Sequence, residues 1–444
     1  MKNFMIKPSH AADRSSRGDE AEFRRMIQPQ PRHLGCYRGA GISARGKRFA
    51  VRSPGFNWNV FGFRLKPGLR TGLAWFRLGC LALLGVWSSP GWAQPPAANP
   101  APARNVSPEI GPDRRVTFRL LAPKASEVLV SGEFMAGSKA LEKSADGLWS
   151  VTVGPVEPEI YYYNFTVDGV RTIDPGNPDV KTGSTSGTIQ SVLEVRGDQP
   201  AFYDGQPVPH GEIRTHWYQS KSLGRLRRLT VYVPPGYDRD TAARLPVLYL
   251  FHGANADETA WTRLGRVNLI LDNLLAAGKT RPFLVVMPFG YGVPPGTPGD
   301  NTAMFSRDLR EDVIPYIEAQ YRTLADRDHR AIVGLSMGGG QSLGIGLSHL
   351  ELFSYVGGFS AALNGGGDFA KTYAGLIADP AATNRQLHLL WVGCGTEDSL
   401  FPAAKKFTDF LTENKIKHTF RESSGAHTWM VWRRYLNEVA PLLF

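Results

Sequence analysis

Cysteine is scarce in this sequence: 444 residues hold three, Cys36, Cys80 and Cys394. The first two precede residue 94, so Cys394 stands alone in the main body. No disulfide can close within that body, and its stability has to come from a buried core. His, Cys and carboxylate residues nowhere cluster at ligand spacing, which argues against a metal site and calls for no cofactor. Long apolar runs are also rare. The longest, residues 73–87, is interrupted by Arg77 and is too short to span a membrane. A charge excess is missing where it would matter. The whole chain carries +11, but residues 1–93 hold 16 Lys/Arg against 4 Asp/Glu, and the remainder holds 35 against 36. The basic character therefore belongs to the leader, and nothing in the main body asks for nucleic acid.

The leader has its own logic. Arg64, Lys66 and Arg70 precede the apolar run, and Ser88-Ser89-Pro90-Gly91-Trp92-Ala93 follows it. A charged segment, an apolar segment and a small-residue site describe a secretory signal peptide, with cleavage after Ala93 and a periplasmic or extracellular destination. Cys80 is not read as a lipid anchor, because the apolar run continues past it. Residues 1–60 are polar, Arg-rich and without periodicity. They are either a disordered leader or the product of a start placed upstream of the true one, and the latter is favoured. Residues 94–105 are rich in Pro and Ala and read as a linker.

Residues 106–197 carry short strand-like runs: 115–120, 127–131, 148–153, 161–167 and 191–195. Asp146-Gly147, Asp168-Gly169 and Pro175-Gly176 separate them as turn signals. Five or more such strands at this spacing predict an all-β, immunoglobulin-like sandwich. Residues 198–212 bear Pro and Gly and read as a second linker.

From residue 213 to 444 the pattern changes to α/β. The apolar run Ala331-Ile332-Val333 leads into Gly334-Leu335-Ser336-Met337-Gly338, and a Gly-rich stretch able to enter a helix follows. Strand, sharp turn and helix place a serine at the apex, with helix N–H groups aimed at the same spot. Downstream, the run 387–392 reads as a buried parallel strand and ends in Gly393-Cys394-Gly395-Thr396-Glu397-Asp398. A helix over 403–414, a strand over 418–421 and a loop bearing His427 come next. Serine, acid and histidine thus fall in the chain order of the α/β-hydrolases. A serine hydroxyl is a poor nucleophile unless an imidazole takes its proton, and the imidazole needs a carboxylate to hold its tautomer. Ser336, His427 and Asp398 fill these roles, with Glu397 the neighbouring alternative acid. Two fixed donors must meet the developing oxyanion. One is the backbone N–H of Met337. The other is assigned to Ala254, or to Asn255, in the turn His252-Gly253-Ala254-Asn255 after the strand 245–251.

Other conspicuous residues receive ordinary readings. His252 is taken as a packed, hydrogen-bonded loop histidine, and His216, His329, His349, His388 and His418 as structural or solvent-facing. Asp308 and Asp312 lie on a segment of helical spacing, 306–321, and are expected on a solvated face. Trp429 lies two residues past His427 and either lines the acyl site or packs in the core. The Pro/Gly-rich stretch 291–301 is read as a loop at the mouth of the site.

The stretches Val231-Tyr232-Val233-Pro234-Pro235-Gly236-Tyr237, Pro246 to Gly253, Glu258-Thr259-Ala260-Trp261, Val285 to Pro288, Gly334 to Gly340 and Gly425 to Trp429 carry a resemblance over the whole domain. They resemble the esterase-D-type branch of α/β-hydrolases, and most of all carbohydrate esterase family one, with its feruloyl and acetylxylan esterases. The resemblance implies the triad Ser336, Asp398 and His427, and a supporting motif in Glu258 and Trp261. The first domain resembles the early-set, family-48 carbohydrate-binding-module type through Arg119 to Pro123, Asp146 to Trp149 and Tyr161 to Gly169. That likeness implies a buried structural role for Trp149, and packing against the catalytic domain is expected ahead of sugar binding.

The expected protein is a secreted serine esterase acting on esterified plant cell-wall polysaccharide, feruloyl first and acetylated xylan second. Trp261 and Trp429 are expected to flank an aromatic acyl group. Siderophore ester hydrolysis, acyl transfer, and sugar binding by an inert hydrolase domain are the competing readings.

Overall fold

The computed structural model describes residues 106–182, 189–363 and 368–444. The expected signal peptide, its cleavage site at Ala93, Cys36, Cys80 and the 94–105 linker lie outside the described residues.

The first region is built of antiparallel strands: β1 (Glu109–Ile110), β2 (Val116–Leu121), β3 (Val128–Gly132), β4 (Ser138–Ala140), β5 (Glu142–Lys143), β6 (Leu148–Val153), β7 (Glu159–Val167), β8 (Val170–Thr172), β9 (Val180–Lys181) and β10 (Gln190–Val195). They form two sheets, β1-β2-β6-β5 and β4-β3-β7-β10-β9, with β8 paired to β7. The β7–β8 hairpin closes on Asp168 and Gly169, both at positive φ, as a two-residue turn requires. Alternation supplies the core between the sheets: Val116, Phe118, Val128, Val130, Tyr163, Phe165 and Leu193 are buried there. Trp149 is buried with them, and its indole N–H donates to the Ala122 carbonyl at 2.9 Å.

Strand β7 also faces outward. Ile160 and Tyr162 belong to a different core, shared with Trp261, Leu264 and Trp429 of the following domain. Segment 198–211 is tied down rather than free-standing. Asn273 donates to the carbonyls of Phe202 and Asp204, both at 2.9 Å, and the Gly211 N–H donates to Asp272 at 3.0 Å.

The second region is an eight-stranded sheet of β11 (Glu212–Ser220), β12 (Arg225–Val233), β13 (Val247–Phe251), β14 (Leu284–Pro288), β15 (Arg330–Leu335), β16 (Tyr355–Phe359), β17 (Leu389–Gly395) and β18 (Thr419–Ser423). The order is β11-β12-β14-β13-β15-β16-β17-β18. The β11–β12 and β12–β14 pairs are antiparallel, and every later pair is parallel. Helices cover both faces, so the central strands are apolar on both sides. Ile332, Tyr249 and Phe251 enter one core, and Ala331, Val333, Leu248 and Leu250 the other. The carboxyl ends of β13, β15 and β17 thereby point to one edge, where ligands of such sheets bind.

One expectation fails here. Asp308 and Asp312 are buried, not solvated. The turn of the β11–β12 ribbon lands on their helix face. Arg227 pairs with Asp308 at 3.1 Å, and the Lys221 and Ser222 N–H groups donate to Asp312 at 3.1 and 2.9 Å. Periodicity reveals a helix face but not a ribbon packed against it. The helix is also divided: Asn301–Asp308 and Ile314–Gln320 flank a π-helical turn, Leu309–Val313.

Candidate active site

Ser336 sits between β15 and the helix Met337–Ser348 with φ 53° and ψ −119°, a conformation a non-glycine residue adopts only under constraint. Hydrogen bonds supply that constraint. Its N–H donates to the Phe359 carbonyl at 2.9 Å, and its own carbonyl accepts from Ala362 at 2.8 Å and Gly340 at 3.0 Å. Neighbouring side chains would not fit: a Cβ on Gly338 would lie 2.4 Å from the His252 carbonyl oxygen, and one on Gly334 would lie 2.3 Å from that of Gly338.

The histidine and the acid arrive from the loops after β18 and β17. His427 Nε2 lies 2.9 Å from Ser336 Oγ, and His427 Nδ1 lies 2.8 Å from Asp398 Oδ2. With the carboxylate accepting from Nδ1–H, Nε2 faces the serine as an acceptor. Burial alone would push the Asp398 carboxyl up. The hydrogen bonds from His427, the Leu400 N–H and Ser360 outweigh it and hold the group below the usual carboxylate range. Glu397 has another task, accepting from the Gly425 N–H and so fixing the histidine loop. The edge of Trp432 meets the His427 ring at 4.9 Å, while its indole N–H donates to Ser360 at 3.0 Å.

The turn after β13 closes the site. His252 is buried; Nδ1 donates to the Gly253 carbonyl and Nε2 accepts from the Gly290 N–H, both at 2.8 Å. Burial pushes its pKa down to about 4, so the ring is neutral and serves as a strut, as its sequence reading has it. The Asn255 N–H donates to Tyr291 Oη at 3.0 Å. Of the two candidates for the second donor, Asn255 thus spends its N–H on the loop, and among the described residues the Ala254 N–H has no hydrogen bond. Ala254 borders both cavities beside Ser336, and Met337 borders one of them.

Trp429 lines the cavity that holds Ser336 and His427. Trp261 does not reach it. It is 1% exposed, its indole N–H donates to the Phe251 carbonyl at 2.9 Å, and its ring meets Trp429 edge-on at 5.2 Å. The predicted pair is thus one wall residue and one support behind it. Glu258 is buried beside Arg228, in keeping with its predicted supporting role.

Two features escaped the sequence reading. Tyr291 in the 291–301 loop anchors the Asn255 turn, and Arg225 and Arg227 grip the loop's first carbonyls at 2.7–3.2 Å. Arg433 is fully buried and donates to Glu159 of β7 at 2.5 Å and to the Leu264 carbonyl at 2.8 Å. The second had a signal: Arg433 falls on the apolar stripe of Trp429, Trp432 and Leu436, where a solvated charge has no place.

A mostly parallel sheet with a strained serine turn, a histidine–aspartate pair and a donor-bearing turn at one edge defines an α/β-hydrolase. The sequence model of the esterase family matches residues 220–443, and the chain belongs to that family, one of carboxylic-ester hydrolases. The "Endo-1,4-beta-xylanase/feruloyl esterase" of Xylanibacter ruminicola is 35% identical over 349 residues, 76% of this chain. The match covers 46% of that relative, so the chain spans less than half its length. Among solved structures, the enterobactin esterase FES of Shigella flexneri has a TM-score of 0.55 at 18% identity, over 74% of this chain and 92% of its own, a likeness of fold. A CE1 ferulic acid esterase of Anaeromyces mucronatus, solved with ferulic acid, has a TM-score of 0.48 at 25% identity, over 57% of this chain and 100% of its own.

Proposed function

We propose that the protein is a secreted serine esterase that releases ferulate from plant cell-wall polysaccharide. The hydrogen-bonded chain from Asp398 through His427 to Ser336, beside the Ala254 and Met337 backbones, carries this reading. Ser336 Oγ attacks the ester carbonyl as His427 Nε2 takes its proton. The Met337 and Ala254 N–H groups receive the oxyanion. His427 then protonates the departing sugar oxygen, leaving an acyl-enzyme. Water, deprotonated by His427, attacks that ester and frees the acid and Ser336.

Shape favours feruloyl over acetyl. A second cavity of about 660 Å³ opens beside Met337 and Ala254, and Tyr291, Val293, Leu363, Phe369 and Tyr373 line it. A flat aromatic acid uses such a slot, whereas an acetyl group does not need it. Trp429 lines the adjoining cavity that holds Ser336, with Trp261 packed edge-on against it. Acetylated xylan is the second reading. Residues 106–197 are proposed to be an early-set, immunoglobulin-like domain, 213–444 the esterase domain, and 1–93 an exported leader; the pairing of antiparallel sheets around one core supports the first.

The test uses protein beginning at Gln94 and its Ser336→Ala variant, with methyl ferulate and acetylated xylan as substrates. Ferulate release by the wild type, reduced about 10⁴- to 10⁶-fold in the variant, is expected. Acetate release alone would make the enzyme a deacetylase, and equal rates in both proteins would remove Ser336 from the mechanism.

A further inference from the structure

The cavity holding Ser336 and His427, about 270 Å³, is not built by the esterase domain alone. Its far wall comes from the β-sandwich: Glu133 after β3, Tyr162 on β7, Lys181 at the end of β9 and Gln190 at the start of β10. These side chains are oriented. Glu133 Oε2 accepts the Tyr162 N–H at 3.1 Å. Lys181 Nζ lies 4.6 Å from the Tyr162 ring centroid and donates to Gln190 Oε1 at 3.5 Å. Glu133 thus presents an acceptor and Lys181 a donor to the same cavity, close enough for their charges to attract.

The wall is also fixed in place. Arg263 of the esterase domain, itself on the cavity, donates to the Val180 carbonyl at 2.9 Å and to Thr182 Oγ1 at 3.3 Å. Arg266 pairs with Glu194 at 2.7 Å. The buried pair between Arg433 and Glu159 ties β7 to the helix Trp429–Val439, which begins two residues after His427. The sandwich residues on the cavity are thereby tied to the region that carries Ser336.

We propose that Glu133 and Lys181 form a specificity site for the sugar that carries the ester, in the position next to the scissile bond. The two cavities differ in chemistry. The slot beside Met337 has aromatic and aliphatic side chains that suit the acyl group, with Asp300, Asn301 and Gln341 on its polar side and no cation among its lining residues. The wall built by the sandwich offers a carboxylate, an ammonium and an amide. A saturated ring dense in hydroxyls needs that mixture of acceptors and donors. This inference rests on Ser336 being the nucleophile, since the sugar side is defined by where the alcohol leaves.

The test uses the exported chain and two conservative variants, Lys181→Met and Glu133→Gln, each checked for an unchanged thermal midpoint. kcat/KM is measured on methyl ferulate, which has no sugar, and on ferulate esterified to an arabinoxylan oligosaccharide. Charged hydrogen bonds to a ligand support a discrimination of about tenfold or more. Each variant is expected to lose about tenfold more on the sugar ester than on the methyl ester, mainly in KM. Equal losses on both substrates, or none on either, overturn the site. If the wild type cleaves acetyl rather than feruloyl esters, the same ratio is taken between acetylated xylo-oligosaccharide and p-nitrophenyl acetate. A failed feruloyl assignment thus appears in the wild type, and a failed sugar site appears only in the variants.

Discussion

Strands β7 and β15 are both buried along most of their length, but for different reasons. Strand β15 lies inside a parallel sheet, and helices of its own domain cover it on both sides. Strand β7 belongs to an antiparallel sandwich, in which one face ordinarily meets water. Its inner face, Tyr161, Tyr163 and Phe165, fills the sandwich core. Its outer residues, Ile160 and Tyr162, join the core of the esterase domain. The first strand is buried by its own fold, the second by a neighbour. The difference shows that the antiparallel region packs against the α/β region through β7 rather than hanging from a tether.

The sharpest way to break this comparison is to loosen β7 from its neighbour. Arg433→Met leaves the buried Glu159 carboxylate without its close ion pair, with Arg434 at 3.6 Å and the Ile160 N–H at 2.9 Å still facing it. Removing one partner of a buried pair costs about 3–5 kcal/mol, so denaturant unfolding should move by that amount. A second change, Glu159→Met, should recover much of the loss, because no buried charge then remains unpaired. A loss no larger than that of an exposed substitution would mean that β7 is buried without being held.

The corresponding test near β15 is one of pH. His252, in the turn after the neighbouring strand β13, has its pKa pushed by burial to about 4 in the folded protein, against an ordinary value near 6.5. As pH falls below about 6.5 the unfolded chain takes up a proton that the native ring refuses. Stability should be greatest above that value and decline towards pH 4, by about 3 kcal/mol in all. His252→Gln should be less stable at pH 7.5 yet lack this part of the decline, as unfolding at pH 7.5 and 5 would reveal. An unaltered slope would show that the ring titrates normally, and that the turn bearing Ala254 is not held by a neutral imidazole.

The two strands also mark what was legible from sequence. Around β15 everything is local: glycines, serine and the following helix lie within a few residues, so the turn could be read directly. Asp398 and His427 followed because chain order fixes which strand ends they occupy. The burial of Asp308 and Asp312 was not legible, since their partners Arg227, Lys221 and Ser222 lie some 80 to 90 residues away. The outer face of β7 was hidden for the same reason. Tyr161-Tyr162-Tyr163 offers aromatics to both sides of the strand, and only the neighbour's Arg433 and Trp429 reveal what the outer side meets. The demotion of Trp261 from wall to support is smaller still, a matter of one ring standing in front of another.

The finest distinction lies between adjacent residues of β7. Tyr163 Oη donates to Asp174 at 2.8 Å and accepts from Asn177 at 3.1 Å, inside the sandwich core. Tyr162 Oη, on the outer face, is buried and makes no well-formed hydrogen bond among the described residues, with the Arg433 guanidinium beside it. Tyr163→Phe removes a donor from a fully buried carboxylate and should cost about 1–3 kcal/mol. Tyr162→Phe deletes a hydroxyl whose contact with Arg433 returns little of its desolvation, so stability should stay within about 0.5 kcal/mol or rise. The aromatic ring, and with it the surface beneath Lys181, is kept in both. Equal losses in the two variants, measured by denaturant unfolding at one pH, would mean that the outer hydroxyl is satisfied as well as the inner one, and that the domain interface is as fully bonded as the sandwich core.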